Sequence, residues 1–157
     1  MKSLAKQLFS FILPFTALVV VPLCIERNLT FRNPAAWIAG LLVVLTGLFV
    51  MINCISMFIR IGKGTLAPWS PAKRLVISGF YRYVRNPMIL GVLLVLAGES
   101  LALLSLNILI WAVIFFVLNT VFFMVYEEPG LEKRFGEEYK IYKRNVSRWI
   151  PRLHPYY

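Results

Sequence analysis

Charged, amide and aromatic side chains that could do chemistry concentrate at two places in an otherwise apolar chain. The first is the run Tyr81-Arg82-Tyr83-Val84-Arg85-Asn86-Pro87, and the second is Glu127-Glu128-Pro129. The two glutamates follow an apolar stretch that is predicted to be helical, and a helix C-terminus favours cations rather than acids. Two adjacent acids at such a position therefore indicate either a functional site or an ion pair that holds the basic run in place.

These two places are predicted to meet because the sequence between them folds back. Residues 87–126 are almost wholly apolar, and as one helix they would measure about 60 Å, twice the hydrocarbon core of a bilayer. Ser105-Leu106-Asn107 is the best position for a turn. Asn86-Pro87 is a typical helix start, since Asn can cap a helix and Pro fits its first position. Asn86 and Glu127 should then be neighbours.

The whole chain has the composition of a membrane protein. Its 157 residues are 59% hydrophobic, and the mean hydropathy of +0.73 is too high for a soluble domain of this length. We therefore predict a single all-α integral membrane domain, residues 1–157, with about four transmembrane helices and a C-terminal amphipathic interfacial helix. The predicted segments are spans at 8–25, 35–59, 87–104 and 108–126, a cytoplasmic loop at 60–86 and a cytoplasmic tail at 127–157.

The net charge of +10 predicts how the chain is oriented. Six Lys and Arg residues lie in the loop and seven in the tail, whereas none lies at the predicted hairpin tip. Cations concentrate on the cytoplasmic side, so both termini are predicted to be cytoplasmic, in a bacterial or archaeal plasma membrane. Because the cations flank apolar segments, the expected partner is anionic membrane lipid rather than nucleic acid. In the tail, apolar residues recur at helical spacing over 131–142, which predicts the amphipathic surface helix.

Few residues inside the predicted spans suggest a second site. Gly40 and Gly47 can let another helix approach closely. Cys24 and Cys54 lie in apolar runs without metal-type spacing, and the chain has a lone histidine, so no metal site is predicted. Glu99, the one acid inside a span, is placed near the far side of the membrane, where it could reach the interface or a neighbouring polar group.

The basic run, the acidic pair and the tail together resemble the isoprenylcysteine carboxyl methyltransferases and the related phospholipid methyltransferases. The resemblance rests on Leu75-Val76-x-Ser78-Gly79-x-Tyr81-x-x-x-Arg85-Asn86-Pro87, on Glu127-Glu128, and on Phe135-Gly136-Glu137-Glu138-Tyr139-x-x-Tyr142. It covers roughly residues 73–151, half of the chain, and its order and spacing are specific. The first two predicted spans match only in being hydrophobic.

This resemblance implies an S-adenosylmethionine-dependent methyltransferase whose acceptor is a lipid or another amphiphilic small molecule at the cytoplasmic interface. Carboxylates can bind the cofactor's ammonium or ribose hydroxyls, an aromatic face suits its sulfonium, and helix N-terminal amides suit its carboxylate. The implied catalytic residues are Arg85 and Asn86. The implied cofactor-binding residues are Lys73, Arg74, Leu75, Val76, Tyr81, Asn86, Pro87, Met88, Ile89, Glu127 and Glu128.

Three positions depart from the family's pattern. Asn86 stands where the family often has His, and Ile89 where it often has Tyr, so the segment keeps a helix cap but loses a titratable group. Phe123 stands where isoprenylcysteine enzymes carry an Arg that faces the substrate carboxylate. A carboxylate without a cation would be costly in the apolar surroundings of residues 121–125. Phe123 therefore argues against prenylated cysteine and leaves a lipid amine, a thiol or a carboxylate held elsewhere.

Two other functions fit parts of the sequence. A nicotinamide-dependent reductase of the sterol-reductase type has a similar C-terminal helical arrangement, and the basic loop could bind a phosphate, although 157 residues leave little room for a sterol chamber. A non-catalytic membrane protein that binds lipid or a partner is consistent with Asn86 and Ile89. Binding of S-adenosylhomocysteine or of NADPH distinguishes the two enzymes, and binding of neither favours the third function.

Overall fold

Residues 12–26, 33–62 and 74–157 are described by the structure, a computed structural model. Within these ranges every regular element is helical and no strand occurs. The α-helices are α1 (Ile12–Phe15), α2 (Val21–Ile25), α3 (Pro34–Met57), α4 (Pro87–Leu103), α5 (Leu106–Phe122) and α6 (Glu128–Asn145). Three π-helical turns lie at Thr16–Val20, Phe58–Gly62 and Phe123–Glu127, and a 3-10 turn lies at Gly79–Arg82. Predicted positions in 1–11, 27–32 and 63–73, including Lys73, lie outside the described residues.

Among the described residues, two helices are long and apolar enough to cross a bilayer, Pro34–Ile61 and Leu106–Asn145. Shorter apolar helices, Thr16–Ile25 and Pro87–Leu103, occupy the other two predicted spans. The 17 residues of α4 measure about 26 Å, slightly less than a hydrocarbon core. The all-helical prediction is therefore confirmed for the described residues, whereas the number of four transmembrane helices stays a prediction.

Two pairs of glycines hold α3 against α4. A Cβ atom on Gly47 would lie 2.7 Å from the carbonyl oxygen of Gly91, and one on Gly98 would lie 2.7 Å from the carbonyl oxygen of Gly40. The order of these pairs shows that the two helices are antiparallel. Lipid provides no hydrophobic force between helices, so close backbone packing of this kind is a main source of their association. The prediction for Gly40 and Gly47 is confirmed.

The turn between α4 and α5 lies where the sequence predicts it. Leu104 ends α4 in the left-handed conformation with a φ of 49°, and the Oγ of Ser105 begins α5 by accepting a hydrogen bond from the Ile108 N–H at 3.4 Å. The same hydroxyl donates to Glu26 Oε2 at 2.5 Å and so joins the end of α2 to the turn. Glu26 and the turn therefore occupy one end of the fold, as the predicted topology requires.

The fourth predicted span continues into the tail helix without a loop. The π-helical turn Phe123–Glu127 joins α5 to α6, and the helix bends at Gly136, whose φ is 56° and ψ −128°. Pro129 follows this π-helical turn directly, and because helical turns precede it, its missing N–H interrupts the backbone hydrogen-bond pattern at the junction. The surface helix predicted at residues 131–142 thus begins as a continuation of α5, and the non-helical backbone of Gly136 separates its first part from residues 137–145.

The C-terminal residues fold back over the basic run. The backbone N–H of Arg85 donates to the carbonyl oxygen of Ser147 at 2.9 Å, and that of Arg152 donates to the carbonyl oxygen of Tyr83 at 2.9 Å. Three tail side chains form a buried cluster beneath this contact: Tyr139, Tyr142 and Val146. These contacts fix the start of α4 against the tail. A site formed jointly by the basic run and the tail requires such an arrangement.

Candidate functional site

A cavity of about 550 Å³ lies between the N-terminal helical segment (residues 12–25), α3, α4, α5 and α6. Its volume is within the range of small-molecule sites. Most of the charged and amide lining residues, with Tyr81, lie at the end of the cavity near the start of α4, which we call the polar end: Arg74, Tyr81, Arg85, Asn86, Glu127 and Arg134. The deeper wall is mainly apolar and includes Ala17, Met51, Val92, Trp111, Phe115 and Phe122.

One stripe of α5 and its π-helical continuation forms a wall of this cavity from end to end. The stripe consists of Trp111, Phe115, Asn119, Phe123 and Glu127, at a regular spacing of four residues. Residues four apart lie on one face of a helix. The Trp111 indole N–H donates to the carbonyl oxygen of Ala17 at 3.0 Å and so ties this wall to the N-terminal helical segment.

Asn86 occupies the cap position of α4 but does not cap it. Pro87 is at the start of the helix as predicted, yet the Asn86 side chain accepts no hydrogen bond from the first turn. Its Nδ2 is instead buried on the cavity wall without a hydrogen-bond partner among the described residues. A buried amide donor without a partner costs about 1–3 kcal/mol. The prediction of a capping asparagine is wrong, and the amide N–H is left without a partner among the described residues.

Tyr81 presents its side chain to the same end of the cavity. The carbonyl oxygen of Tyr81 accepts a hydrogen bond from the Tyr142 hydroxyl at 2.6 Å, which anchors the 3-10 turn to α6. Burial raises the pKa of the Tyr81 hydroxyl, so this residue is a neutral phenol at physiological pH.

The two adjacent glutamates have different surroundings. Glu127 lines the cavity, whereas Glu128 does not line it and is 3% exposed. Burial raises the pKa of Glu127, and the charge of Arg134 offsets part of that effect. Consecutive helical residues point about 100° apart, so one glutamate can face the cavity while its neighbour faces the tail.

Glu128 is the centre of a buried ion cluster with three cations. Its Oε1 accepts hydrogen bonds from Arg85 Nη1 at 2.8 Å and from Arg148 Nε at 2.6 Å, and its Oε2 lies 3.1 Å from Lys143 Nζ. Burial raises the pKa of Glu128, but the hydrogen bond from Arg148 and the charge of Arg85 outweigh it, so the net shift is downward. The ion pair that the sequence offered as one interpretation of the acidic pair is therefore formed by Glu128.

Arg85 connects this cluster to the cavity. Its Nε donates to the carbonyl oxygen of Val146 at 2.8 Å, and its Nη1 is also 3.4 Å from the hydroxyl oxygen of Tyr139. The guanidinium is thus held by the tail, and its side chain is only 10% exposed. Arg85 can position the start of α4 and supply positive charge beside the cavity.

Most of the predicted site residues come together. Pro87 is buried without lining the cavity, Glu128 lies in the ion cluster, and Lys73 lies outside the described residues. The predicted residues that line the cavity are Arg74, Leu75, Val76, Tyr81, Arg85, Asn86, Met88, Ile89 and Glu127. Their convergence provides a site, while the role of each one stays a prediction.

The sequence did not identify the deeper wall. The spacing of four residues from Trp111 to Glu127 is a signal that could have indicated it, because a polar Asn119 recurs in phase with Glu127. No comparable pattern marks the part contributed by the N-terminal helical segment. Glu99 is also unexplained: its Oε2 is buried without a partner among the described residues, and it does not line the cavity.

The family model for phospholipid methyltransferase matches residues 35–138, which contain α3 from its second residue, α4, α5 and both glutamates. The chain belongs to the phospholipid methyltransferase family. Membership implies a methyltransferase that acts on a membrane substrate, and it confirms the resemblance noted at the basic run and the acidic pair. Within the described residues, no group of three or more His, Cys, Asp or Glu could hold a metal ion.

One relative of the chain adds no functional information. The chain is 36% identical over 63 residues to an uncharacterized protein of Haemophilus influenzae, and the aligned part is 40% of this chain and all of that protein. No solved structure matches the chain.

Proposed function

We propose that this protein transfers a methyl group from S-adenosylmethionine to a lipid or other amphiphilic acceptor at the cytoplasmic face of a membrane. The observation that carries the proposal is one cavity in which the polar end and the deeper apolar wall are continuous. A water-soluble cofactor and an amphiphilic acceptor need a site of this kind. The family provides the methyltransferase class, and the cavity supports the finer assignment.

The polar end has groups that suit S-adenosylmethionine. The buried Asn86 Nδ2 has no partner in the described part of the chain and can donate to a carboxylate or an adenine nitrogen. The carboxylate of Glu127 suits the ammonium group or the ribose hydroxyls, and the ring of Tyr81 suits a sulfonium. We propose that four further lining residues also contact the cofactor, namely Arg74, Leu75, Val76 and Met88, and that Lys73 binds it as well.

The bound cofactor would supply an electrophilic methyl group, and the residues of this chain then have to align the acceptor and exclude water. Methyl transfer is an in-line displacement, so alignment provides much of the rate enhancement. The deeper wall is apolar, with side chains such as Val92, Phe115 and Phe122. Apolar side chains exclude water, and this strengthens electrostatic interactions inside the cavity. Arg85, held by Glu128 and Val146, fixes the start of α4 and therefore the position of Asn86.

The cavity favours a lipid acceptor other than prenylated cysteine. Phe123 lines the cavity and packs edge-on against Trp149, with ring centroids 6.0 Å apart, so the position of the family's arginine is occupied by an aromatic contact. The described stripe of α5 has no cation near Phe123 that could replace this arginine. A neutral or amine-bearing head group avoids the desolvation cost that a carboxylate would have there.

Transfer of a labelled methyl group into lipid tests the proposal. Purified protein in bilayers of total membrane lipid is incubated with methyl-labelled S-adenosylmethionine, and the lipid is extracted and counted. We expect incorporation by the wild type and a loss of at least about tenfold in Glu127→Gln, from one charged hydrogen bond. Glu137→Gln is the matched control, because Glu137 is exposed on α6 and does not line the cavity. Absence of label from lipid, or equal labelling by both variants, would contradict the proposal.

A further inference from the structure

Asn119 is a polar residue in the middle of the deeper apolar wall, and nothing above gives it a role. It lies on the cavity-facing stripe of α5, between Phe115 and Phe123. Polar side chains inside membrane spans are costly and usually face a functional cavity rather than lipid. Asn119 is therefore placed where it can contact whatever occupies the cavity.

The hydrogen bond that Asn119 already makes determines what it can offer. Its Nδ2 donates to the carbonyl oxygen of Phe115, four residues earlier, at 2.8 Å. Only the amide nitrogen can donate to a carbonyl oxygen, so this contact fixes the orientation of the amide group. The described residues show no donor to its Oδ1. Asn119 therefore keeps its acceptor oxygen unused among the described residues, and it lines the cavity between Phe115 and Phe123.

The depth of Asn119 separates it from the polar end. It precedes Glu127 by eight residues, which is about 12 Å along the helix. A head group whose reactive atom lies near Glu127 and Asn86 would place its neck, the part between head group and chains, beside Asn119. The group that Asn119 recognises is therefore not the methyl-accepting atom.

We propose that Asn119 selects an acceptor that carries a hydroxyl or N–H donor in its neck region. This inference rests on the proposed function, because it assumes that the acceptor occupies the cavity. An acceptor with only ester or ether oxygens at this level would place an oxygen lone pair against the Asn119 oxygen. A lipid with a free hydroxyl there, such as a single-chain phospholipid, would satisfy that oxygen instead.

A pair of lipids that differ in one hydrogen-bond donor tests this. The probes are oleoyl lysophosphatidylethanolamine and the same lipid with its glycerol hydroxyl methylated, and binding to the detergent-purified protein is measured by native mass spectrometry in direct competition. We expect the wild type to prefer the free hydroxyl by about three- to tenfold, the value of one neutral hydrogen bond. Asn119→Leu should bind both lipids equally.

Two further variants serve as controls for this experiment. Asn53→Leu is the matched control, because Asn53 makes the same bond to a carbonyl four residues earlier, 2.8 Å to Phe49, but does not line the cavity. It should keep the wild-type preference. Asn119→Thr keeps an oxygen at the position and should keep a preference as well, which separates lost recognition from lost folding.

Binding of S-adenosylhomocysteine to the same samples distinguishes the failure of this inference from the failure of the proposed function. A wild type that binds the cofactor product but shows no preference between the lipids would overturn the role of Asn119 alone. So would a preference that persists in Asn119→Leu. A wild type that prefers the free hydroxyl but does not bind S-adenosylhomocysteine would support the role of Asn119 and contradict the methyltransferase assignment.

Discussion

Replacing Glu128 by Gln removes the one carboxylate on which three cations of the ion cluster converge. Arg85 and Arg148 are 10% and 20% exposed, and both donate to the same oxygen of Glu128. Lys143 is 37% exposed and keeps a second partner, Glu132 at 2.7 Å, so its share is small. Leaving buried cations without their carboxylate costs about 3–5 kcal/mol. Gln retains one acceptor oxygen, so we expect about 3 kcal/mol, at the low end of that range.

Thermal unfolding in detergent, followed by circular dichroism, measures this loss. A free energy of about 3 kcal/mol in a chain of this size corresponds to a fall in Tm of about 6–12 °C. The matched control is Glu137→Gln, which breaks an exposed ion pair of 3.4 Å with Lys140 and should change stability by less than about 0.5 kcal/mol. If the two variants melt at the same temperature, the ion cluster does not hold the tail to the basic run.

The same comparison has a predictable pH dependence. The pKa of Glu128 is lower in the folded protein than its usual value of 4.5. The unfolded chain then binds a proton more readily than the folded one, so the contribution of Glu128 to stability is complete above pH 4.5 and decreases as the pH falls towards the folded pKa. The difference in Tm between the wild type and Glu128→Gln should therefore shrink below pH 4.5. A difference that grows on acidification would contradict the assigned direction.

Three other variants, two of them with a matched control, test the remaining parts of the structure. Gly47→Ala should destabilise the fold by about 1–3 kcal/mol, because the new methyl group would lie 2.7 Å from a backbone carbonyl oxygen of α4. The control is Gly130→Ala, whose methyl group would meet nothing within 4 Å, and it should be neutral or slightly stabilising in the same thermal unfolding experiment. Arg85→Ala should weaken binding of S-adenosylhomocysteine more than Arg60→Ala does, and equal affinities would mean that the loop acts only as a basic lipid-facing patch. Ser105→Ala removes a cap and the bond to α2 and should cost about 1 kcal/mol in chemical unfolding, and an unchanged midpoint would show that this turn is held by packing alone.

Features that depend on local sequence were predictable in this protein. The turn at Ser105 follows from the length of the apolar run, the helix start at Pro87 from its cyclic side chain, and the close approach at Gly47 from its missing Cβ. Each of these requires only a residue type and its distance along the chain. The convergence of the basic run with Glu127 followed from the hairpin, which fixes the positions of both ends.

Features that depend on which way a side chain faces were not predictable. Glu127 and Glu128 are adjacent in the sequence and are considered as a pair. The rotation between consecutive helical residues places Glu127 on the cavity wall and Glu128 in the ion cluster. Asn86 is a favourable cap by residue type, yet its side chain makes no bond to the first turn of α4, and its amide nitrogen is buried without a partner among the described residues. The continuity of α5 with α6 depends on a π-helical turn, for which the sequence contains no distinct signal.

Calorimetric titration of the purified protein with S-adenosylhomocysteine, with NADPH in parallel, tests the central claim most directly. We expect the wild type to bind S-adenosylhomocysteine and not NADPH. Glu127→Gln should lose that binding without a change in Tm, while Glu128→Gln should show the fall in Tm described above. A folded wild type that binds NADPH alone, or that binds neither compound, would contradict the assignment of this cavity to a methyltransferase.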